Sequence, residues 1–273
     1  MKRNIIFVGI FLLGLGIFLY PTISNLLATR THYSQVSSFD EKIKSLQEKE
    51  LVRRNREANE YNKQVQTSAQ VISDPFVEHE KKKSYADALN IGEVMGYIEI
   101  PKINVKLPIY QGTSEEVLMR GIGHLEKSSL PIGGKGTHAV LTGHRGLPSA
   151  TLFTDLDKMK ESDVFYVHTL DKILAYKVDQ IKVVLPSETD ELLIVNDKDY
   201  VTLLTCTPYG INTHRLLVRG HRIPYEQKGK DIDLKSSALD NQINIATIVI
   251  IAFIVLMCMI LIFIKSIKKK QVE

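Results

Sequence analysis

The stretch Thr202–Arg222, TLLTCTPYGINTHRLLVRGHR, decides the fold of this chain, because it contains two apolar runs separated by a polar turn. The runs DYVTLLTC and HRLLVRGHRIP have the length and composition of β-strands, and TPYGINT supplies the loop between them. If the two strands pair antiparallel, that loop returns Arg215 to the side of Cys206. A thiol and a cation then lie together at the ends of adjacent strands.

The residues upstream of this pair predict further short strands. VMGYIEIPKINVKLPIY alternates apolar and polar residues and is broken by prolines, THAVLTGH ends in a Gly-His turn, and DVFYVHTLDKILAYKVDQIKVVLP forms a hairpin. SEEVLMRGIGHL, with a capping serine at Ser114, and SATLFTDLDKM predict short helices. Short strands at this spacing, with few helices, favour a mainly β protein that folds as a closed barrel.

The segment before the barrel predicts a helix followed by a turn. Residues 38–66 are rich in Glu, Lys, Gln, Arg and Asn and contain no Gly or Pro, so we expect a solvated helix docked by one edge. Ser73-Asp74-Pro75-Phe76 is a turn signal that ends this helix.

Both ends of the chain carry apolar runs, at residues 5–20 and 245–264. The second is long enough to span a bilayer and the first reaches that length with its flanking residues, so we expect a transmembrane helix at each end. A cleaved signal peptide is the alternative for the first run. Lys and Arg flank both runs on the sides of the two termini, which places both termini in the cytoplasm and the catalytic domain outside the cell membrane.

The charge pattern gives no indication of a nucleic-acid partner. The formal net charge of +4 comes partly from the lysines that follow the second apolar run, and no aromatic-basic motif accompanies it. No C-x-x-C or H-x-x-x-H spacing appears, so neither a metal nor another cofactor is expected.

Cys206 is the one cysteine between the two apolar runs, since Cys258 lies within the second. A lone extracellular cysteine is a buried structural thiol, a site of intermolecular bridging or a nucleophile. Of the eight histidines, His144 follows an apolar strand and enters a Gly-flanked turn, as expected for a residue at the barrel rim near Cys206. Each histidine alone is more often structural, and the combination with Cys206 and Arg215 favours catalysis.

These motifs resemble the sortases of Gram-positive bacteria over about residues 94–224. TLLTC, an arginine nine residues later, and LTGHRGLPSATLFTDLD upstream are the matching segments. The resemblance implies a sortase-type barrel and a cysteine transpeptidase. Cys206 would attack the threonine carbonyl of an LPxTG-like sorting motif, His144 would protonate the leaving amine, and Arg215 would hold the substrate or stabilise the oxyanion.

Two anchors, GTHAVLTGHRGLPSA and an Asp-Pro-aromatic motif before the barrel resemble the class C sortases, which polymerise pilins. In that class the motif belongs to a lid, here Asp74-Pro75-Phe76. Asp74 would pair with Arg215, and Phe76 would cover the Cys206 sulfur. The implied partners are the membrane and pilin subunits that carry a sorting signal and an acceptor lysine, with lipid II or a housekeeping sortase as further candidates.

Other functions fit the same residues: a housekeeping sortase that joins surface proteins to the peptidoglycan precursor, an anchored cysteine peptidase, or a non-enzymatic adhesin. Product analysis separates the first two, and a Cys206→Ala variant separates the third. The expected organisation is an N-terminal anchor (1–30), a helical region and lid (31–90), the barrel (91–226), a linker (227–244), the C-terminal transmembrane helix (245–264) and a basic cytoplasmic tail (265–273).

Overall fold

The computed structural model describes residues 2–68, 72–76, 87–226 and Val255. The chain divides into two units, and the larger one, Pro21–Gln227, holds the barrel. The expected linker, C-terminal transmembrane helix and basic tail lie outside the described residues, apart from Val255.

Eight strands close into a barrel in the order β1-β2-β3-β4-β7-β8-β6-β5. The β2–β3 and β4–β7 pairs are parallel, and the other neighbours are antiparallel. The strands are β1 (Gly96–Ile100), β2 (Val105–Gln111), β3 (Ile122–His124), β4 (Thr137–Thr142), β5 (Val164–Thr169), β6 (Lys172–Val184), β7 (Asp199–Thr207) and β8 (His214–Ile223). The closed barrel and the two strands around TPYGINT are as the alternation of apolar residues predicts.

Three α-helices accompany the barrel: α1 (Lys2–Ser45), α2 (Glu48–Thr67) and α3 (Glu115–Arg120). Residues 38–66 do not form one helix, because the chain breaks after Ser45 and α2 starts afresh at Glu48. Leu46 and Leu51, on either side of the break, both pack against the core. The break therefore lets the two helices turn their sparse apolar side chains onto the barrel.

The start of α3 agrees with its predicted cap, since the Ser114 hydroxyl accepts a hydrogen bond from the Val117 N–H at 3.4 Å. The predicted continuation of this helix is wrong, because Ile122–His124 forms strand β3. The helix predicted for SATLFTDLDKM is also wrong, and only the 3-10 turn Leu156–Lys158 is present. Leu152 adopts a positive φ of 39°, which interrupts a right-handed helix.

One helix among the described residues, Gly9–Ser45 within α1, is long and apolar enough to cross a membrane. Within the first 20 residues its large apolar side chains are exposed, for example Phe18 at 78%. Length and composition are all that this observation rests on.

Candidate active site

Strands β4, β7 and β8 lie side by side and bring the three predicted residues into one row. Cys206 on β7 pairs directly with Arg215 on β8. On the other side, Thr142 of β4 is level with Leu204 of β7. The same register, continued by two residues, sets His144 level with Cys206. The row is pinned at its centre, since the Thr205 hydroxyl donates to the Gly143 carbonyl at 2.7 Å.

The row lies on the outer face of the barrel and not in its interior. Leu203 and Val218 point into the main core, whereas their neighbours Leu204 and Leu217 belong to a second, smaller apolar cluster. Cys206 and Arg215 share the face of this second cluster because side chains alternate along a strand. The cluster contains Ile72, Leu125, Val140, Leu192, Leu204 and Leu217, with Phe76, Val184 and Leu193 against it.

The Cys206 side chain is nearly covered, with the residue 8% exposed. Burial raises the pKa of its thiol, Arg215 opposes this shift, and Asp74 adds to it. Burial disfavours the charged thiolate, and the adjacent carboxylate cancels part of the cationic field of Arg215. In this arrangement Cys206 is therefore a protonated thiol at neutral pH.

The expected pairing of Asp74 with Arg215 is present as a two-pronged ion pair. The Arg215 Nε donates to Asp74 Oδ1 at 2.8 Å, and Nη2 donates to Oδ2 at 2.6 Å. Both side chains are about nine-tenths buried, at 8% exposure for Asp74 and 10% for Arg215. Nη1 donates to the carbonyls of Asn212 and His214 at 3.1 Å. The guanidinium is thus held with its substrate-sized carboxylate partner already in place.

Phe76 lies between the other two side chains. Its ring centroid is 5.6 Å from that of His144, and the Arg215 guanidinium carbon lies 5.0 Å from the Phe76 centroid. The predicted contact of Phe76 with the Cys206 sulfur stays a prediction. Segment 72–76 therefore covers the row through one ion pair and one aromatic ring.

His144 is 16% exposed at its side chain, and its Nε2 lies 3.4 Å from Glu115 Oε2. That distance allows an ion pair if the ring is protonated, but its geometry is not that of a hydrogen bond, and the described residues supply Nε2 with no other partner. The His144 carbonyl accepts from the Phe153 N–H at 3.1 Å. Glu115 was not among the predicted site residues, since an exposed glutamate at a helix start is ordinary.

Two other histidines are excluded as bases by their burial. His138 is 1% exposed and lies within hydrogen-bond distance of the Leu193 carbonyl and the Thr202 hydroxyl. His124 is fully buried beside the Ser129 carbonyl. Burial lowers the pKa of each to about 4. Both rings are therefore neutral structural groups.

Arg145, directly after His144, was also missed by the sequence reasoning. It donates to the Thr154 carbonyl at 3.2 Å and the Thr207 hydroxyl at 3.2 Å, and it pairs with Asp157. Its guanidinium lies 5.9 Å from the centroid of Tyr209, an exposed ring in the β7–β8 loop. Arg145 thus ties the His144 segment to the end of β7. Among the described residues there is no group of three or more His, Cys, Asp or Glu that could hold a metal ion.

An eight-stranded barrel with a cysteine, an arginine and a histidine in one row on its outer face has the form of a cysteine acyl-transfer site. A sequence model of the Sortase domain matches residues 98–223. Sortase C-1 from Streptococcus pneumoniae is 53% identical, with a TM-score of 0.68 over 71% of this chain and 100% of that one. Sortase C1 from Streptococcus agalactiae is 48% identical, with a TM-score of 0.68 over 71% of this chain and 100% of that one.

The chain therefore belongs to the sortase family, and its structural neighbours are class C sortases. Curated relatives are more distant: Sortase A of Bacillus anthracis is 29% identical over 143 residues, and Sortase D of Bacillus subtilis is 30% identical over 135 residues. These matches span 52% and 48% of this chain and, in each case, 65% of the relative, less than two thirds of its length.

Proposed function

We propose that this protein is a membrane-anchored cysteine transpeptidase that cleaves an LPxTG-like sorting motif and joins it to a lysine amine of a pilin subunit. The observation that carries the proposal is the row of His144, Cys206 and Arg215 covered by Asp74 and Phe76. The similarity to sortases C of two streptococci supports the pilin substrate.

The first half of the proposed reaction forms a thioester. The Cys206 proton passes to His144, and the thiolate attacks the threonine carbonyl of the sorting motif. Arg215 donates to the oxyanion that develops on that carbonyl. His144 then returns its proton to the leaving glycine amine as the C–N bond breaks. The acyl group is left on the sulfur, and one difficult transfer has become two easier ones.

The second half transfers the acyl group to an amine. His144 takes a proton from the incoming lysine ammonium, the neutral amine attacks the thioester carbonyl, and the Cys206 thiolate leaves. The product is an isopeptide bond between the two pilins. A docked amine outcompetes water because binding places it near the carbonyl, and the apolar cluster beside Cys206 limits the water that reaches it.

The lid must be displaced before substrate binds, because Asp74 occupies the guanidinium that we assign to the substrate. Opening also hydrates Cys206 and removes the carboxylate that raises its pKa. Displacement of segment 72–76 thus frees the oxyanion donor and activates the nucleophile in one step. A segment held by one ion pair and one ring is suited to such opening.

The proposed placement in the cell follows from the ends of the chain. The N-terminal part of α1 anchors the enzyme, the run 245–264 forms a second transmembrane helix, and both termini are cytoplasmic. The barrel then lies outside the membrane, where pilins and lipid II are accessible.

Mass spectrometry of the full-length enzyme in detergent, with an LPxTG-type peptide and a pilin subunit, tests the function. A pilin–peptide conjugate linked at one lysine is expected, and it is absent when that lysine is replaced by arginine. Cleaved peptide without conjugate, even with the lid opened by Asp74→Ala, would instead identify a cysteine peptidase.

A further inference from the structure

Helix α1 continues beyond its apolar start and lies along the barrel from about Ser24 onward. Val36 and Phe39 are buried in the main core, and Ala28 and Ile43 pack against it. These positions recur every three or four residues, so one face of the helix contacts the barrel. Two polar side chains on α1, Asn25 and His32, make contacts that this apolar packing does not require.

Asn25 binds the segment that follows His144. Its Oδ1 accepts from both the N–H and the hydroxyl of Thr151, each at 2.9 Å. Two residues later, the Phe153 N–H donates to the His144 carbonyl at 3.1 Å. Between them, Leu152 is 2% exposed and has a positive φ of 39°. The loop from His144 to Phe153 is therefore closed on itself and fixed to α1 at a single residue.

His32 binds the element on the other side of His144. Its Nε2 lies 3.0 Å from the carbonyl oxygen of Arg120, and because a carbonyl only accepts, Nε2 carries the proton. Arg120 ends α3, where helix carbonyls lack partners within the helix. The first residue of the same six-residue helix is Glu115, which faces His144 Nε2. The ring is thus flanked by two elements that α1 holds separately.

We propose that α1 sets the position of the His144 imidazole, with Asn25 as the principal positioning residue and His32 as a second anchor. Asn25 acts on the His144 main chain through Thr151 and Phe153, and it touches no reacting atom. The catalytic part of this inference rests on the acid–base role proposed for His144, whereas the anchoring part does not. The alternative is that Asn25 attaches α1 to the barrel surface without affecting His144.

Hydrogen exchange and turnover of the full-length enzyme in detergent micelles separate these two readings. Asn25→Leu removes the acceptor at similar volume, Asn25→Asp keeps an oxygen for both Thr151 donors, and Ser34→Ala changes an exposed position on α1 as a control. Loss of the acceptor is expected to speed exchange of the Thr151 and Phe153 amides by about 3- to 10-fold, the range of one or two lost hydrogen bonds.

In the same Asn25→Leu variant, kcat for peptide transfer is expected to fall about fivefold while KM changes less than twofold, because only the acid–base geometry is disturbed. Asn25→Asp should restore both exchange and kcat, and Ser34→Ala should match the wild type. Should Asn25→Leu not fold, Thr151→Val provides a milder variant, which loses only the hydroxyl donor and is expected to show a smaller change in the same direction.

Faster exchange at Thr151 alone, with Phe153 and kcat unchanged, would overturn the proposal, as would equal losses in Asn25→Leu and Asn25→Asp. If the wild-type enzyme transfers no peptide at all, the proposed function fails. The exchange rate of the Phe153 amide then still decides whether Asn25 anchors the His144 segment.

Discussion

Replacement of Asp74 by alanine is expected to open the lid and to make Cys206 more reactive towards alkylating reagents. Asp74 supplies both hydrogen bonds of the ion pair with Arg215, at 2.8 and 2.6 Å. Removing one partner of a buried pair costs about 3–5 kcal/mol when the other charge stays buried. Here the lid can move and Arg215 can be hydrated, so the closed state loses about 2 kcal/mol, which is about a 30-fold shift towards the open state.

The chemistry of the thiol changes in the same direction. Opening the lid relieves the burial that raises the Cys206 pKa, and the substitution removes the negative charge that adds to it, while Arg215 remains. The thiolate fraction at pH 7 therefore rises together with access to the sulfur. We expect iodoacetamide to label Cys206 about 10- to 50-fold faster in Asp74→Ala than in the unmodified lid.

The assay is time-resolved intact mass spectrometry in a Cys258→Ser background, so that Cys206 is the one thiol measured. Asp179→Ala is a matched control, because Asp179 forms a comparable two-pronged pair with Arg219 at 3.0 and 3.2 Å on strands β6 and β8, away from the lid. Labelling of Asp74→Ala within twofold of the background, or equal acceleration in Asp179→Ala, would refute the lid mechanism.

Three further predictions concern the row and the barrel around it. His144→Ala should keep the melting temperature of the wild type and lower transpeptidation by about 10²–10⁴-fold, and near-normal rates would assign acid–base catalysis to another group. Because burial lowers the pKa of His124 and His138 to about 4, the unfolded chain binds protons that the folded chain does not, so stability is full above about pH 6.5 and is lost as the pH falls towards 4. The loss approaches about 3 kcal/mol for each ring, and a urea midpoint that is constant between pH 7 and pH 4.5 would contradict it. Gly143→Ala should destabilise the protein by about 1–3 kcal/mol, since the added methyl would lie 2.8 Å from the Phe153 ring, and an unchanged melting temperature would show that the site can relax.

The barrel could be predicted from the sequence wherever one strand alternates strictly or one hairpin closes locally. The β5–β6 hairpin and the β7–β8 pair are of this kind, and their register follows from short loops. Strand β3 could not be recognised, because Ile122–His124 is too short to show a period and follows a genuine helix. It forms only because β2 and β4 supply partners on both sides.

The site was predictable to the extent that it depends on strand ends. Cys206 and Arg215 follow from antiparallel pairing across one loop, whereas the place of His144 depends on the parallel β4–β7 register, which joins residues about 60 positions apart. The resemblance to sortases supplied His144 and the Asp74–Arg215 pair. Glu115 beside His144 and Asn25 beside Thr151 carry no local signal, since each contact is set by packing between elements distant in sequence.

The central claim, that Cys206 carries the acyl group, is tested most directly by the intact mass of the Asp74→Ala enzyme mixed with an LPxTG-type peptide and no amine. We expect an adduct of the peptide's acyl part, mapped to Cys206 and discharged when a pilin lysine is added. An isopeptide product formed by the Cys206→Ala variant, or no adduct despite an open lid, would contradict it.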